Sequence, residues 1–329
     1  MLNWIFRKPR PATPVASPAT AEPPAIAVDM HWRAGTRLPI PDWGAIWDGV
    51  EGIDDDARLH ALYTASARQW LDALGQALPD GDYASRSSAN FLLLSAQPER
   101  AADLVLRSCE QALRAVRGRL GALAADGGYG PYVVIAFASQ DSYYDYLSHY
   151  HDDGGEYAMS SGVFINAGYG HFASWHDALD QLEPVVVHEL THALLTHLPL
   201  PLWLNEGIAV NVERALLPWL ADPRLQLHSP AEMHARHLDW WNAQTIQAFW
   251  SGEAFQVGEG VELAYDLART ITALATRDEA AFHRFALAAT WEDAGQGAEQ
   301  ALGFPLSHLV EAVLGEGEWA PRPGVWRQP

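Results

Sequence analysis

The pentapeptide HELTH that begins at His188 is the segment whose residue types and spacing could carry chemistry. The apolar residues around it predict a largely buried helix over 176–197, with Pro184 at its start, where a missing N–H costs nothing. His188 and His192 then lie one turn apart on one face, which is the spacing that lets two imidazoles bind one metal ion. Glu189 flanks the same face, where a carboxylate can hold a metal-activated water without being a ligand.

A third ligand is needed, because a catalytic zinc takes three protein ligands and keeps one open position. The segment WLNEGIAV predicts a second helix over 203–217, and two helices joined by a short connection run roughly antiparallel. Glu206 can then approach the metal that His188 and His192 bind. The alternative is a pair of core histidines on an apolar helix. It leaves Glu189 and Glu206 unexplained, because buried carboxylates are costly unless a cation compensates them.

HELTH followed by PLWLNEGIA resembles the gluzincin branch of the zinc metallopeptidases, and within it the bacterial peptidase-MA-like families. The resemblance runs from about Asn90 to Leu314, but its specific part is residues 184–210. It implies an α+β, zincin-like fold. In that fold a small mixed sheet lies N-terminal to a helical part that carries the HExxH helix and the third-ligand helix.

The resemblance also implies roles for individual residues. Carried over by position, it gives zinc as the cofactor and His188, His192 and Glu206 as its ligands. Glu189 is the general base, which takes a proton from the attacking water and passes it to the leaving amine.

Two further residues are expected to support this chemistry. Tyr265 is the predicted stabiliser of the tetrahedral oxyanion, and a packed aromatic side chain is the alternative. Asn205 precedes the ligand Glu206 and either fixes the local geometry or serves only at the start of a helix.

The predicted function is therefore that of an enzyme, a zinc-dependent metallopeptidase that hydrolyses a peptide or protein substrate. One alternative keeps the zinc site but makes it an amidase acting on a non-protein or cell-wall peptide. Another is a non-catalytic binding or regulatory protein on a zincin scaffold, which the intact ligand positions and Glu189 disfavour. Residues 28–87 could act as a lid or bind a protein partner.

Composition excludes several other classes. The formal charge of −20, from 41 acidic and 21 basic residues, opposes nucleic acid and anionic membrane surfaces. Cys109 is the only cysteine, so an intramolecular disulfide and a cysteine-based zinc knuckle are excluded. At the N-terminus a short apolar run comes before the positively charged residues, whereas a secretory signal has its positive residues first. No run of residues approaches the ~18 apolar residues that a membrane span requires. We therefore expect no stable membrane insertion and a cytoplasmic location.

The chain divides by pattern into a Pro/Ala-rich, disordered tail (1–27), a helical segment (28–87) and a metallopeptidase domain (88–329). Within that domain, 88–175 contains the sheet and 176–329 is helical. Strands are predicted at 90–96, 132–138 and 161–166, with a hairpin continuing over 169–173. The other predicted helices are 42–78, 99–124, 231–250, 261–274, 278–289, 296–302 and 306–314.

The remaining histidines favour structural roles. The cluster at 149–153 is interpreted as a solvated loop rather than a second metal site. His171 and His176 are expected in the core or at the surface rather than against substrate. His197 is expected near the C-terminal end of the HELTH helix, where a cation is favoured. The segment 161–173 is expected to offer an edge strand along which an extended peptide could pair.

Overall fold

The structure is a computed structural model that describes residues 28–50, 52–125, 128–150, 162–175, 179–256, 258 and 260–326. The predicted tail, residues 151–153 of the 149–153 cluster and His176 lie outside these residues. The described part contains eleven α-helices, several short 3-10 turns and one five-stranded sheet, so the predicted α+β class is confirmed. None of the helices in these ranges has the length and apolar character that crossing a membrane requires.

The helices are α1 (Trp43–Asp48), α2 (Asp56–Ala77), α3 (Glu99–Leu120), α4 (Gln140–Leu147), α5 (Leu179–Leu195), α6 (Leu202–Leu216), α7 (Pro230–Trp240), α8 (Thr245–Ser251), α9 (Val261–Ala275), α10 (Glu279–Ala288) and α11 (Leu306–Leu314). The strands are β1 (Ala84–Ser87), β2 (Phe91–Ser95), β3 (Tyr132–Ala136), β4 (Gly162–Ile165) and β5 (His171–Ser174).

The sheet has the strand order β1-β2-β3-β5-β4. Strands β2, β3 and β5 are parallel, whereas β1 and β4 pair antiparallel with their single neighbours and form the two edges. The central strand β3 is buried along Val133–Ala136. Its continuous apolar run predicted this, because a strand covered on both faces has no polar face to show.

The described residues group into two compact units. The sheet unit comprises those within Thr13–Ala115 and Gly127–Ala193, and the C-terminal unit comprises those within Val116–Asp126 and Leu194–Pro329. The domain boundaries predicted from sequence stay a prediction.

An aromatic core fills the sheet unit, and His171 lies inside it. The side chain of His171 is 0% exposed; its Nδ1 donates to the Tyr169 carbonyl at 2.8 Å, and the Tyr146 hydroxyl donates to its Nε2 at 2.7 Å. The ring of Trp70 packs edge-on against it. Burial lowers the pKa of His171 to about 4, so the ring is neutral near pH 7. The expected core role is confirmed.

Several predicted elements differ in detail. The single helix predicted over 231–250 is two helices, α7 and α8, because the Asn242 side chain accepts from the backbone N–H groups of Gln244 and Thr245 and forms a turn there. The helix predicted at 296–302 is a 3-10 segment. Strand β1 was missed.

The prediction for His197 is confirmed in position but not in charge. Helix α5 ends at Leu195, and His197 lies just beyond this C-terminal end. Burial lowers the pKa of His197, although a hydrogen bond to the Leu194 carbonyl opposes this effect. The surroundings of His197 therefore disfavour its cationic form.

Candidate metal centre

Helix α5 carries the HELTH segment as predicted. Leu190 and Leu194 on this helix are fully buried, whereas His188 and His192 are half-buried. The two imidazole rings lie 4.8 Å apart between centroids and are nearly perpendicular, with an interplanar angle of 75°. Pro184 lies inside the helix and not at its start, so the backbone carbonyl four residues earlier lacks its usual intrahelical donor.

Six residues, 196–201, connect α5 to α6. The turn is tied down because the Leu198 N–H donates to the Leu195 carbonyl at 2.9 Å and the Trp291 N–H donates to the Pro199 carbonyl at 2.8 Å. Trp203 in the first turn of α6 is fully buried, and its indole N–H donates to the Ala294 carbonyl at 3.0 Å. These contacts fix the start of the helix that carries the third predicted ligand.

The three predicted ligands come together. One ligand atom from each of His188, His192 and Glu206 lies within 4.8 Å of the other two. Ligand atoms about 2.1 Å from a tetrahedral zinc lie about 3.4 Å from one another, so these three side chains are close enough that they would be able to hold one ion. In the described part of the chain, no other group of three histidine, cysteine or acidic side chains meets this condition.

The donor set fits a zinc ion. Two imidazoles and one carboxylate form a three-ligand set typical of catalytic zinc, and a fourth position remains for water or substrate. Glu206 is only 8% exposed on a largely apolar stretch of α6. A cation at this point would compensate the cost of burying its carboxylate.

The backbone beside Glu206 is held closely against α9. A Cβ atom on Gly207 would overlap the Thr272 hydroxyl and would lie 2.6 Å from the Ala268 carbonyl oxygen. The side-chain amide of Asn211 donates to the Gly207 carbonyl at 2.7 Å and to the Arg269 carbonyl at 2.8 Å. Only glycine permits this approach, so Gly207 supports the position of the predicted ligand that precedes it.

Glu189, the predicted general base, lies outside the ligand group. It is half-buried, and its Oε2 accepts a hydrogen bond from the backbone N–H of Phe164 at 3.0 Å. Phe164 belongs to the edge strand β4. This contact was not predictable from the residue types, because the donor is a backbone group that any residue except proline would offer.

The structure places Asn205 and Tyr265 on two different helices. Helix α6 begins at Leu202, with Pro201 as its N-cap, so Asn205 is not the capping residue. The amide Oδ1 of Asn205 is buried with no hydrogen-bond partner among the described residues. Tyr265 is half-buried on α9, and its ring packs edge-on against Phe255 at 5.2 Å. The roles predicted for both residues at the metal site stay predictions.

A second polar cluster, on α7 and α9, was not predicted. His237 donates from Nε2 to Asp266 at 3.0 Å and accepts at Nδ1 from the Trp241 indole N–H at 2.9 Å, and Arg269 also donates to Asp266. Burial acts to raise the pKa of Asp266, but the hydrogen bond from His237 and the charge of Arg269 lower it to about 2. Every member is paired within the cluster, so it serves to join two helices.

Comparison of the chain with protein-family models, with curated proteins and with solved structures gave no match. The interpretation of the site therefore depends on its own residues and their geometry.

Proposed function

We propose that this protein is a zinc-dependent metallopeptidase. The observation that supports the proposal most directly is the convergence of His188, His192 and Glu206 within 4.8 Å. Glu189 follows the first of these ligands in sequence but does not belong to the group. Three ligands with a neighbouring carboxylate are the parts that metal-assisted peptide hydrolysis requires.

The roles of the residues follow from their positions. When bound, zinc supplies a Lewis acid and a water molecule that is nucleophilic near neutral pH. His188 and His192 hold it from α5, and Glu206 holds it from α6. Glu189 takes the proton from the attacking water and passes it to the leaving amine. Tyr265 is the proposed donor to the developing oxyanion.

The proposed substrate is an extended peptide or protein segment beside β4. Phe164 and Phe172 face each other across the antiparallel β4–β5 pair. The N–H of Phe164 points to Glu189, so its carbonyl also points away from β5, as both groups of one strand residue lie on the same side. An edge carbonyl can accept a hydrogen bond from the backbone of an extended peptide.

Metal content tests the proposal first. We expect close to one zinc per chain by elemental analysis in the wild type and in Glu189→Gln, and loss of zinc in Glu206→Ala. Glu213→Ala, on the same helix α6, is the matched control and keeps its zinc. No metal in any sample, even after zinc is supplied, would overturn the proposal.

Activity is tested next with a broad peptide library. We expect cleavage by the wild type and none by Glu189→Gln, which keeps its metal. If zinc is present but no peptide is cleaved, the peptidase function is rejected, and small amides and cell-wall peptides become the substrates to assay. If neither class is cleaved, a binding or regulatory role on a metal-containing scaffold remains.

A further inference from the structure

Strand β4 runs along helix α5 with matched spacing. Gly162 lies against Val185, so closely that a Cβ atom on Gly162 would overlap the Val185 Cγ1 atom. Two residues later on the strand, the Phe164 N–H reaches Glu189, which is four residues after Val185 on the helix. Two strand residues span about 6.6 Å and four helical residues span about 6 Å, so the two contacts stay in register.

The N–H of Phe164 has no role in the sheet. In an antiparallel pair, residues alternate between those that exchange hydrogen bonds with the partner strand and those that point away from it. Phe164 donates to Glu189, so Val163 and Ile165 are the residues that bond to β5. Strand β4 is an edge of the described sheet, and its outward donor at Phe164 is used by a side chain of α5.

We propose that the backbone N–H of Phe164 is the positioning group of the general base Glu189, and that Gly162 maintains this contact by letting β4 lie against α5. A hydrogen bond between an N–H group and a carboxylate is charge-assisted and directional. It restrains one oxygen of a side chain that has three rotatable bonds. This proposal rests on the proposed function, because it assigns a partner to the base of that reaction.

The test uses the full chain loaded with cobalt(II), which reports on its ligands through its visible absorption. Acetohydroxamic acid is the probe, because it gives up a proton as it binds a metal and the neighbouring base accepts that proton. Its dissociation constant is therefore sensitive to the position of Glu189 and needs no substrate. Glu189→Gln calibrates the full effect of losing the base.

Gly162→Ala is the first variant, because the new methyl group pushes β4 away from α5. We expect unchanged cobalt content and about tenfold weaker binding of acetohydroxamate, the scale of losing one hydrogen bond to a charged group. Val185→Ala alone should bind the probe as the wild type does. The double variant Gly162→Ala/Val185→Ala removes the overlap and should restore affinity to within about twofold.

A backbone substitution gives a second measurement that does not depend on a steric clash between β4 and α5. Replacing Phe164 by its α-hydroxy acid analogue exchanges the N–H for an ester oxygen, and the same exchange at Val163 removes a bond of the β4–β5 ladder instead. We expect about tenfold weaker probe binding for the ester at Phe164 only. If the Phe164 N–H had only a structural role, probe binding would be weaker in both ester variants or in neither.

Each outcome decides between the proposals. Probe binding within about twofold of wild type in both the Gly162→Ala and the Phe164 ester variants overturns the positioning role. Loss of cobalt from these two variants alone also overturns the positioning role, because the contact between β4 and α5 would then support the metal ligands and not Glu189. A wild type that binds no cobalt refutes the metal site itself, and both proposals with it.

Discussion

Replacing Gly207 by alanine is the sharpest test of how the proposed ligand Glu206 is held. The new Cβ atom would overlap the Thr272 hydroxyl and lie 2.6 Å from the Ala268 carbonyl oxygen, where ordinary contacts begin at 3.4 Å. The Thr272 side chain can rotate, but the Ala268 carbonyl is helix backbone. Helices α6 and α9 must therefore separate locally by about 0.8 Å, the difference between those two distances.

Two consequences follow from that separation. Overpacking costs about 1–3 kcal/mol, and the better helix propensity of alanine offsets at most about 1 kcal/mol of it, so the free energy of unfolding should fall. Glu206 moves with the backbone of its neighbour, so zinc affinity should fall about 10–100-fold, the usual effect of removing support from a metal ligand.

Zinc competition against a chromophoric chelator measures the affinity, and urea unfolding of the metal-free protein measures the stability. Gly118→Ala is the matched control, because Gly118 is also helical but has open space around its Cα atom. The free energy of unfolding of Gly118→Ala should rise by up to about 1 kcal/mol, and its zinc affinity should stay unchanged. If Gly207→Ala binds zinc as tightly as Gly118→Ala does, the idea that close packing on α9 positions Glu206 is wrong.

Three further predictions concern single residues. Burial lowers the pKa of His171 from 6.5 to about 4, so folding favours the neutral ring. The contribution of this ring to the free energy of unfolding is therefore fully present above pH 6.5 and is lost as the pH falls through about 4. At about 1.4 kcal/mol per pKa unit, this contribution is about 3 kcal/mol. Urea unfolding between pH 7.5 and pH 4 measures it, and the free energy of unfolding of His171→Gln should fall by that much less than that of the wild type. Tyr265→Phe should lower kcat about 10²–10³-fold at unchanged zinc content if Tyr265 binds the oxyanion, and an unchanged kcat removes that role. Burial raises the pKa of Cys109 to about 12, so iodoacetamide at pH 8 should modify this thiol only after unfolding, and rapid labelling of the native protein would contradict the structure.

The sequence predicted the elements whose signal is local and periodic. Helix α5 and the strands β2 and β3 lie where apolar spacing placed them, because a buried face imposes its period on the residues that form it. The convergence of the three proposed ligands was predictable for a related reason. His188 and His192 are one turn apart, and Glu206 follows after a short turn, so no long-range contact had to be guessed.

Contacts made by backbone atoms or between distant segments were not predictable. Strand β1 has the polar sequence ASRS, and only its pairing with β2 makes it a strand. The hydrogen bond from Phe164 to Glu189 uses a main-chain N–H, which no residue type announces. Gly162 and Gly207 are visible signs of such contacts, since a glycine inside a strand or helix indicates close approach of another segment.

The spacing of the proposed ligands along the chain affects the order in which the proposed site forms. His188 and Glu206 lie within one stretch of 19 residues, so closing that loop around a cation costs little conformational entropy. Thr272, which packs against Gly207, follows it by 65 residues. During synthesis all three proposed ligands therefore leave the ribosome well before α9. We expect the nascent chain to bind zinc weakly at first, and to retain it tightly only after α9 has packed against α6.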